Sequence, residues 1–195
     1  MRKNGLTQKQ VDSFYELIKQ GAKIETVAEF VGYSEQDPEP KKSGFKLGDK
    51  SIEKLAGVNP DLVRVVSRAI EISAVDFMVL EGIRTKEQAY INYGKGRSAA
   101  ELDAKGVPVK YADPKSSKVT WLSYPLGSKH MTGNAVDLAP YPIDWNDLAR
   151  FDQVALAMFK AAAELGVRIK WGADWNGNGR NREKGESDSP HFELA

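Results

Sequence analysis

Residues 35–43 decide how the rest of the chain can be organised. They read Glu-Gln-Asp-Pro-Glu-Pro-Lys-Lys-Ser, with two prolines, five charges and no apolar side chain. That is the composition of an exposed connector. The 195-residue chain is therefore expected to hold a small accessory segment, 1–34, a linker, 35–43, and one domain of ordinary size, 44–195.

The accessory segment carries two short helical patterns. Thr7 and Gln10 have capping-box spacing, after which Val11, Phe14, Tyr15 and Ile18 share one face up to Gly21. Ile24, Val27, Ala28 and Val31 form a second stripe that stops at Gly32. Two short helices around a glycine turn resemble a helix-turn-helix. Residues 1–43 nevertheless hold seven Lys/Arg against seven Asp/Glu, so no basic face for phosphates is evident and no stable nucleic-acid partner is expected. A helical accessory module is the simpler reading.

The chain has no cysteine, which excludes disulfide frameworks, thiolate metal sites and cysteine nucleophiles. The fold must rest on its core, and a hydrophobic share of 41% beside 28% charged residues suits a soluble globular protein. No apolar run approaches a membrane span, and the basic start Met1-Arg2-Lys3 lacks the apolar stretch of a secretory signal. Synthesis and residence in a cytoplasm, as a monomer without a membrane partner, are the expectation.

Within 44–195, Asn59-Pro60 opens a helix with Leu62, Val63, Val66, Ala69 and Ile70 on one stripe. Strands are expected at Val75–Leu80, near Val119–Leu122, at Asn134–Leu138, Val167–Trp171 and Phe192–Leu194. Helices are expected over Thr85–Asn92 and Trp145–Glu164. Strands and helices without strict alternation predict an α+β fold, a small antiparallel sheet flanked by helices.

Only two histidines occur, each in a polar, turn-flanked setting near a carboxylate: His130, with Asp137 seven residues on, and His191, with Asp188 just before it. Two imidazoles and one carboxylate make a frequent catalytic zinc set with a fourth position for water. The spacing of His130 and Asp137 does not fit one helical face. It fits a loop histidine followed by a strand aspartate that returns beside it. Spacing alone leaves ordinary surface or core histidines as an equal alternative.

The pattern Ser128-x-His130-x-x-Gly133-x-Ala135-x-Asp137, followed downstream by Asp188-x-x-His191-x-Glu193, resembles the zinc peptidase family of D-Ala-D-Ala carboxypeptidases and phage L-alanyl-D-glutamate endolysins. The resemblance runs over 45–195. It includes Phe45-Lys46-Leu47-Gly48, Leu55-Ala56-Gly57-Val58 with Pro60, Glu81-Gly82-Ile83-Arg84-Thr85, Val119-Thr120-Trp121 and Trp171-Gly172-Ala173-Asp174-Trp175. It implies a Hedgehog/DD-peptidase-like fold, with His130, Asp137 and His191 as zinc ligands, Asp188 as catalytic carboxylate and Arg84 as an active-site arginine. These roles make chemical sense. Zinc lowers the pKa of a water it holds toward about 7, a nearby carboxylate can take and return a proton, and an arginine can bind a substrate carboxylate or steady an oxyanion.

Glu186 rivals Asp188 as the base, two residues earlier in the same loop. Glu193 could orient a ligand, Ser128 could bond at the site, and Trp121, Trp171 and Trp175 could line a cleft, core packing being the safer expectation for at least one of them. Asp174-Trp175-Asn176-Gly177-Asn178-Gly179 matches the first half of a calcium loop. The twelfth position is Gly185 instead of glutamate, so an ordinary polar turn is the default and calcium the alternative. The implied function is a zinc metallopeptidase acting on peptidoglycan stem peptides at the L-alanyl-D-glutamate bond. It would serve as a phage endolysin in bacterial cell-wall degradation and host cell lysis, held in the host cytoplasm until release. A D,D-carboxypeptidase and a zinc-containing binding module without catalysis are the alternatives.

Overall fold

The structure, a computed structural model, describes residues 43–195; the two helical patterns of the accessory segment lie outside the described residues. Five α-helices are described: α1 (Asp49–Lys54), α2 (Pro60–Ile72), α3 (Lys86–Gly94), α4 (Ala99–Asp103) and α5 (Leu148–Glu164). Four strands accompany them: β1 (Phe77–Glu81), β2 (Ala135–Pro140), β3 (Ile169–Trp171) and β4 (His191–Leu194). The sheet runs β1-β2-β4-β3 with every pair antiparallel, the α+β architecture the sequence predicts.

Local chemistry sets the helix ends. Asn59 accepts from the Asp61 N–H ahead of Pro60, Thr85 accepts from the Gln88 N–H, and Asp147 from the Arg150 N–H, each meeting a donor that the first turn leaves unpaired. The apolar stripes of α2 and α5 then join one face of the sheet in a single core. Leu62, Val65, Val66 and Ala69 of α2 and Val154, Met158 and Ala161 of α5 meet Val79, Val136, Leu138, Trp171 and Phe192. Strand alternation sends the neighbours of those residues, Asp137 on β2 and His191 and Glu193 on β4, to the opposite face. Burying one face of the sheet thus frees the other to carry polar chemistry.

A second cluster, Tyr90, Tyr93, Leu102 and Val107, holds α3 and α4 together. The Val119–Leu122 run is not a strand. The buried Arg97 donates from Nη2 to the Thr120 carbonyl at 2.8 Å, and Tyr93 Oη donates to the Ser123 carbonyl at 3.3 Å. Side chains take carbonyls that a neighbouring strand would otherwise pair. Ser43, at the end of the expected connector, donates from Oγ to the Ile70 carbonyl and from its N–H to that of Glu71, so the chain is tied into the domain from that residue on.

Candidate functional site

The open face of the sheet brings together the groups that the two histidine motifs hold. Asp137 and His191 are direct cross-strand partners on β2 and β4. His130 arrives from a short 3₁₀ turn, Lys129–Thr132, capped by Ser128, whose Oγ accepts from the His130 N–H, and closed by Gly133 at φ 71°. The three candidate ligand atoms form a small triangle. His130 Nε2 lies 3.2 Å from His191 Nδ1, His191 Nδ1 lies 3.1 Å from Asp137 Oδ1, and His130 Nε2 lies 3.3 Å from Asp137 Oδ1. A tetrahedral ion with bonds of about 2.0–2.1 Å spaces its donors by about 3.3 Å. The edges of the triangle fit that spacing. Among the described residues, these three are the group of His, Asp and Glu side chains close enough to share a metal.

Each imidazole is oriented by its other nitrogen. His130 Nδ1 lies 2.8 Å from the Gly82 carbonyl. A carbonyl only accepts, so Nδ1 carries the proton and the Nε2 lone pair faces the triangle. His191 Nε2 lies 3.2 Å from Glu193 Oε2, which in the same way leaves Nδ1 directed inward. Such outer partners fix ring orientation and raise ligand basicity.

Without a metal the triangle is a charge pair. Burial disfavours the His191 cation, yet hydrogen bonds to Asp137 and Glu193 and the charges of Asp137 and Asp188 push its pKa up to about 9. Burial works against the Asp137 anion too, but both histidines hold its carboxyl far below the usual range. Glu193 is held low, first by its bond to His191 and then by the charges of Lys129 and Lys170.

Asp188 and Arg84 flank the triangle. Asp188 sits on the exposed rim, and loss of water on its inner side, with the Asp137 charge, raises its pKa despite the opposing pull of His191, His130 and Arg84. A carboxylate so placed is suited to exchanging a proton. Its backbone is pinned: Asp188 N–H donates to the Gly172 carbonyl at 3.1 Å, and Gly172 N–H donates to the His191 carbonyl at 2.8 Å. Arg84 N–H bonds the His130 carbonyl. Burial opposes the Arg84 charge, but Glu81, Asp137 and Asp188 outweigh it and keep the guanidinium protonated.

Glu186, the rival to Asp188, is buried in its own loop, where Oε1 accepts the Asn176 N–H at 3.0 Å. Trp171 is buried beneath the site, stacked with Phe192, and donates from Nε1 to the Ser189 carbonyl at 2.7 Å. Its place is under the Asp188–His191 turn, with its ring packed in the core. Trp175 lies partly exposed with its ring 5.2 Å from that of His191, while Trp121 is 80% exposed. In the candidate calcium loop the oxygens of Asp174, Asn176 and Asn178 accept backbone N–H groups of the loop itself.

Two participants escaped the sequence reading. The Gly82 carbonyl is a backbone group and carries no sequence signal. Glu81 reaches the open face through a β-bulge. Val79 pairs with Leu138 on the core side, yet Glu81, two residues on, pairs with Asp137, one residue back. Strict alternation would place Glu81 on the core face; the extra residue, Leu80, turns it over.

Known proteins resemble this chain in sequence and in fold. The sequence profile of the phage L-alanyl-D-glutamate peptidases matches residues 43–113 and 109–195. The L-alanyl-D-glutamate peptidase of Escherichia phage T5 is 38% identical over 157 residues, which cover 77% of this chain and 98% of that protein. The crystal structure of the L-Ala D-Glu endopeptidase ChiX of Serratia marcescens aligns with a TM-score of 0.50 at 30% identity, covering 83% of this chain and 96% of that one.

Proposed function

Because the chain belongs to the family of phage L-alanyl-D-glutamate peptidases, we propose that it hydrolyses the L-alanyl-D-glutamate bond of peptidoglycan stem peptides with zinc held by His130, Asp137 and His191. The chain is a peptidase of the endolysin type. What supports zinc is the triangle of two imidazole nitrogens and one carboxylate oxygen, with edges of 3.1–3.3 Å, together with acceptors that aim each lone pair inward. When bound, zinc would supply Lewis-acid polarisation and an acidified water. The chain's own residues do the rest. Asp188 takes a proton at its carboxylate and returns it to the leaving amine. Arg84 stabilises negative charge on the scissile carbonyl oxygen, and Glu193 and the Gly82 carbonyl hold the two ligands in register.

Endolysin action on peptidoglycan implies storage in the host cytoplasm until another protein opens the membrane, and among the described residues no helix is long and apolar enough to cross one. We take the working unit to be a monomer. Calcium in the loop of Asp174, Asn176 and Asn178 is a second cation reading. Glu186 Oε2 and Asn181 Oδ1 are buried there without hydrogen-bond partners, and burial and the Glu186 charge raise the pKa of Asp174. Calcium titration of the wild-type chain and Glu186→Gln tests it; equal heats for both sink it.

The main test is mass spectrometry of fragments released from purified sacculi. Peptides beginning with D-glutamate, lost on chelation and restored by one equivalent of zinc, are expected. Release of terminal D-alanine alone would assign a carboxypeptidase instead, and intact sacculi would leave a binding protein.

A further inference from the structure

The β-bulge that turns Glu81 onto the open face puts it beside Arg84, and the pairing is specific. Arg84 Nε donates to Glu81 Oε1 at 2.7 Å and Nη2 to Glu81 Oε2 at 2.5 Å. This is a parallel two-bond fork, the geometry that best fixes a guanidinium plane. Nη1 is left with one long approach, 3.5 Å, to Ser128 Oγ, an oxygen that already accepts the His130 N–H at 3.3 Å. The unsaturated edge of the guanidinium therefore lies beside Ser128 and the His130 turn, within the electrostatic reach of Asp137 and Asp188. The pair is only partly exposed, with side-chain exposures of 15% for Arg84 and 29% for Glu81. A surface ion pair of this spacing would wander among rotamers; two parallel bonds in a half-buried setting do not.

We propose that Glu81 is a positioning residue for the hydrolysis: it grips the Nε edge of Arg84 so that Nη1 points at the oxygen of the scissile carbonyl, where charge develops. The inference rests on the reading of Arg84 given above. The fork also shapes what Arg84 can be used for. With Glu81 already paired to it and Asp137 and Asp188 close by, the guanidinium is a neutralised, aimed donor, suited to an uncharged amide whose oxygen becomes negative only in the transition state. A free substrate carboxylate would have to compete with Glu81 for the same cation. This separates the two uses of Arg84 that the sequence leaves open, and it favours cleavage within a peptide over trimming of a free terminus.

The experiment uses the zinc-loaded full chain and a soluble N-acetylmuramoyl stem peptide. Glu81→Gln keeps the shape and one acceptor but loses the charged fork. It is expected to lower kcat by about tenfold to a hundredfold, the range for a misplacement of about 1 Å, with KM within about twofold and zinc content unchanged. In the metal-free protein the Arg84 Nε–H resonance should shift and gain solvent exchange. Because Glu81 acts through Arg84, adding Glu81→Gln to an Arg84→Ala background should cost no further activity. Wild-type kcat in Glu81→Gln, or losses that multiply in the double variant, would overturn the proposal. Arg84→Ala with wild-type kcat would instead remove Arg84 from the reaction, and Glu81 with it, so the two failures are distinguishable.

Discussion

Gly172 sits where the sheet meets the turn that carries Asp188, and replacing it with alanine should damage the chemistry proposed for that turn more than the fold. A Cβ at this position would lie 2.8 Å from the Asp188 Cβ and 3.0 Å from the His191 Cβ, with the Asp188 carbonyl oxygen closer still. Carbon atoms in ordinary contact stand about 3.5–4.0 Å apart, so the turn carrying Asp188 must retreat by roughly 1 Å. Neither neighbour can swing aside, because both encroaching groups belong to or sit next to the backbone. The Gly172 N–H and carbonyl also hold His191 and Asp188 in place. A shift of this size at a proton-transfer group costs on the order of a hundredfold in rate. Overpacking of this kind costs about 1–3 kcal/mol, which for a domain of this size lowers Tm by roughly 2–12 °C. Gly172→Ala should therefore fold and melt cooperatively while kcat on the stem peptide falls by about two orders of magnitude. Calorimetry and steady-state kinetics on one preparation read both. Wild-type kcat alongside the lowered Tm would refute the idea that the turn has no room to retreat harmlessly.

Five further outcomes are expected. Asp188→Ala should keep its zinc and its fold and lose about 10²–10⁴ in kcat, the usual worth of a positioned acid–base group; retained turnover would shift that role to Glu186. Glu193→Gln should weaken zinc binding by about tenfold to a hundredfold, measured by competition with a chromogenic chelator, and unchanged affinity would reduce Glu193 to a solvated neighbour. Since His191 in the metal-free chain titrates near 9, zinc must displace its proton at neutral pH, so apparent affinity should rise about tenfold per pH unit and level off above pH 9. The same raised pKa stabilises the metal-free fold fully below about 6.5, with that contribution lost as pH climbs through about 9; a flat pH dependence would deny the charge pair. A fragment spanning 43–195 should melt cooperatively, and an insoluble one would show that the boundary lies elsewhere.

The three candidate ligands were legible because the chain offers so few alternatives. Two histidines, each near a carboxylate and flanked by turn residues, leave little choice for an imidazole-based metal set. The alternation that buries Val136, Leu138 and Phe192 then turns Asp137 and His191 toward each other. What stayed hidden was the machinery that aims them. The acceptor for His130 is a main-chain carbonyl, and Glu81 changes faces by a bulge that periodicity cannot register. The Val119–Leu122 run has the β-branched and aromatic content of a strand but forms none, because Arg97, distant in sequence, claims the Thr120 carbonyl. Helix α1 was missed for another reason: it is one short turn and a half, opened by Gly48 without a side-chain cap.

The outward acceptors at Gly82 and Glu193 have a consequence for metal choice. Both rings are held by acceptors outside the triangle, so the socket has a size and a shape of its own. A compact four-coordinate ion meets three donors at the right spacing. Magnesium or calcium, which require six or more oxygens, find one carboxylate and two nitrogens. Cobalt(II) should slip into the same socket and report on it by colour, which would make the selectivity of the three donors visible in a spectrophotometer.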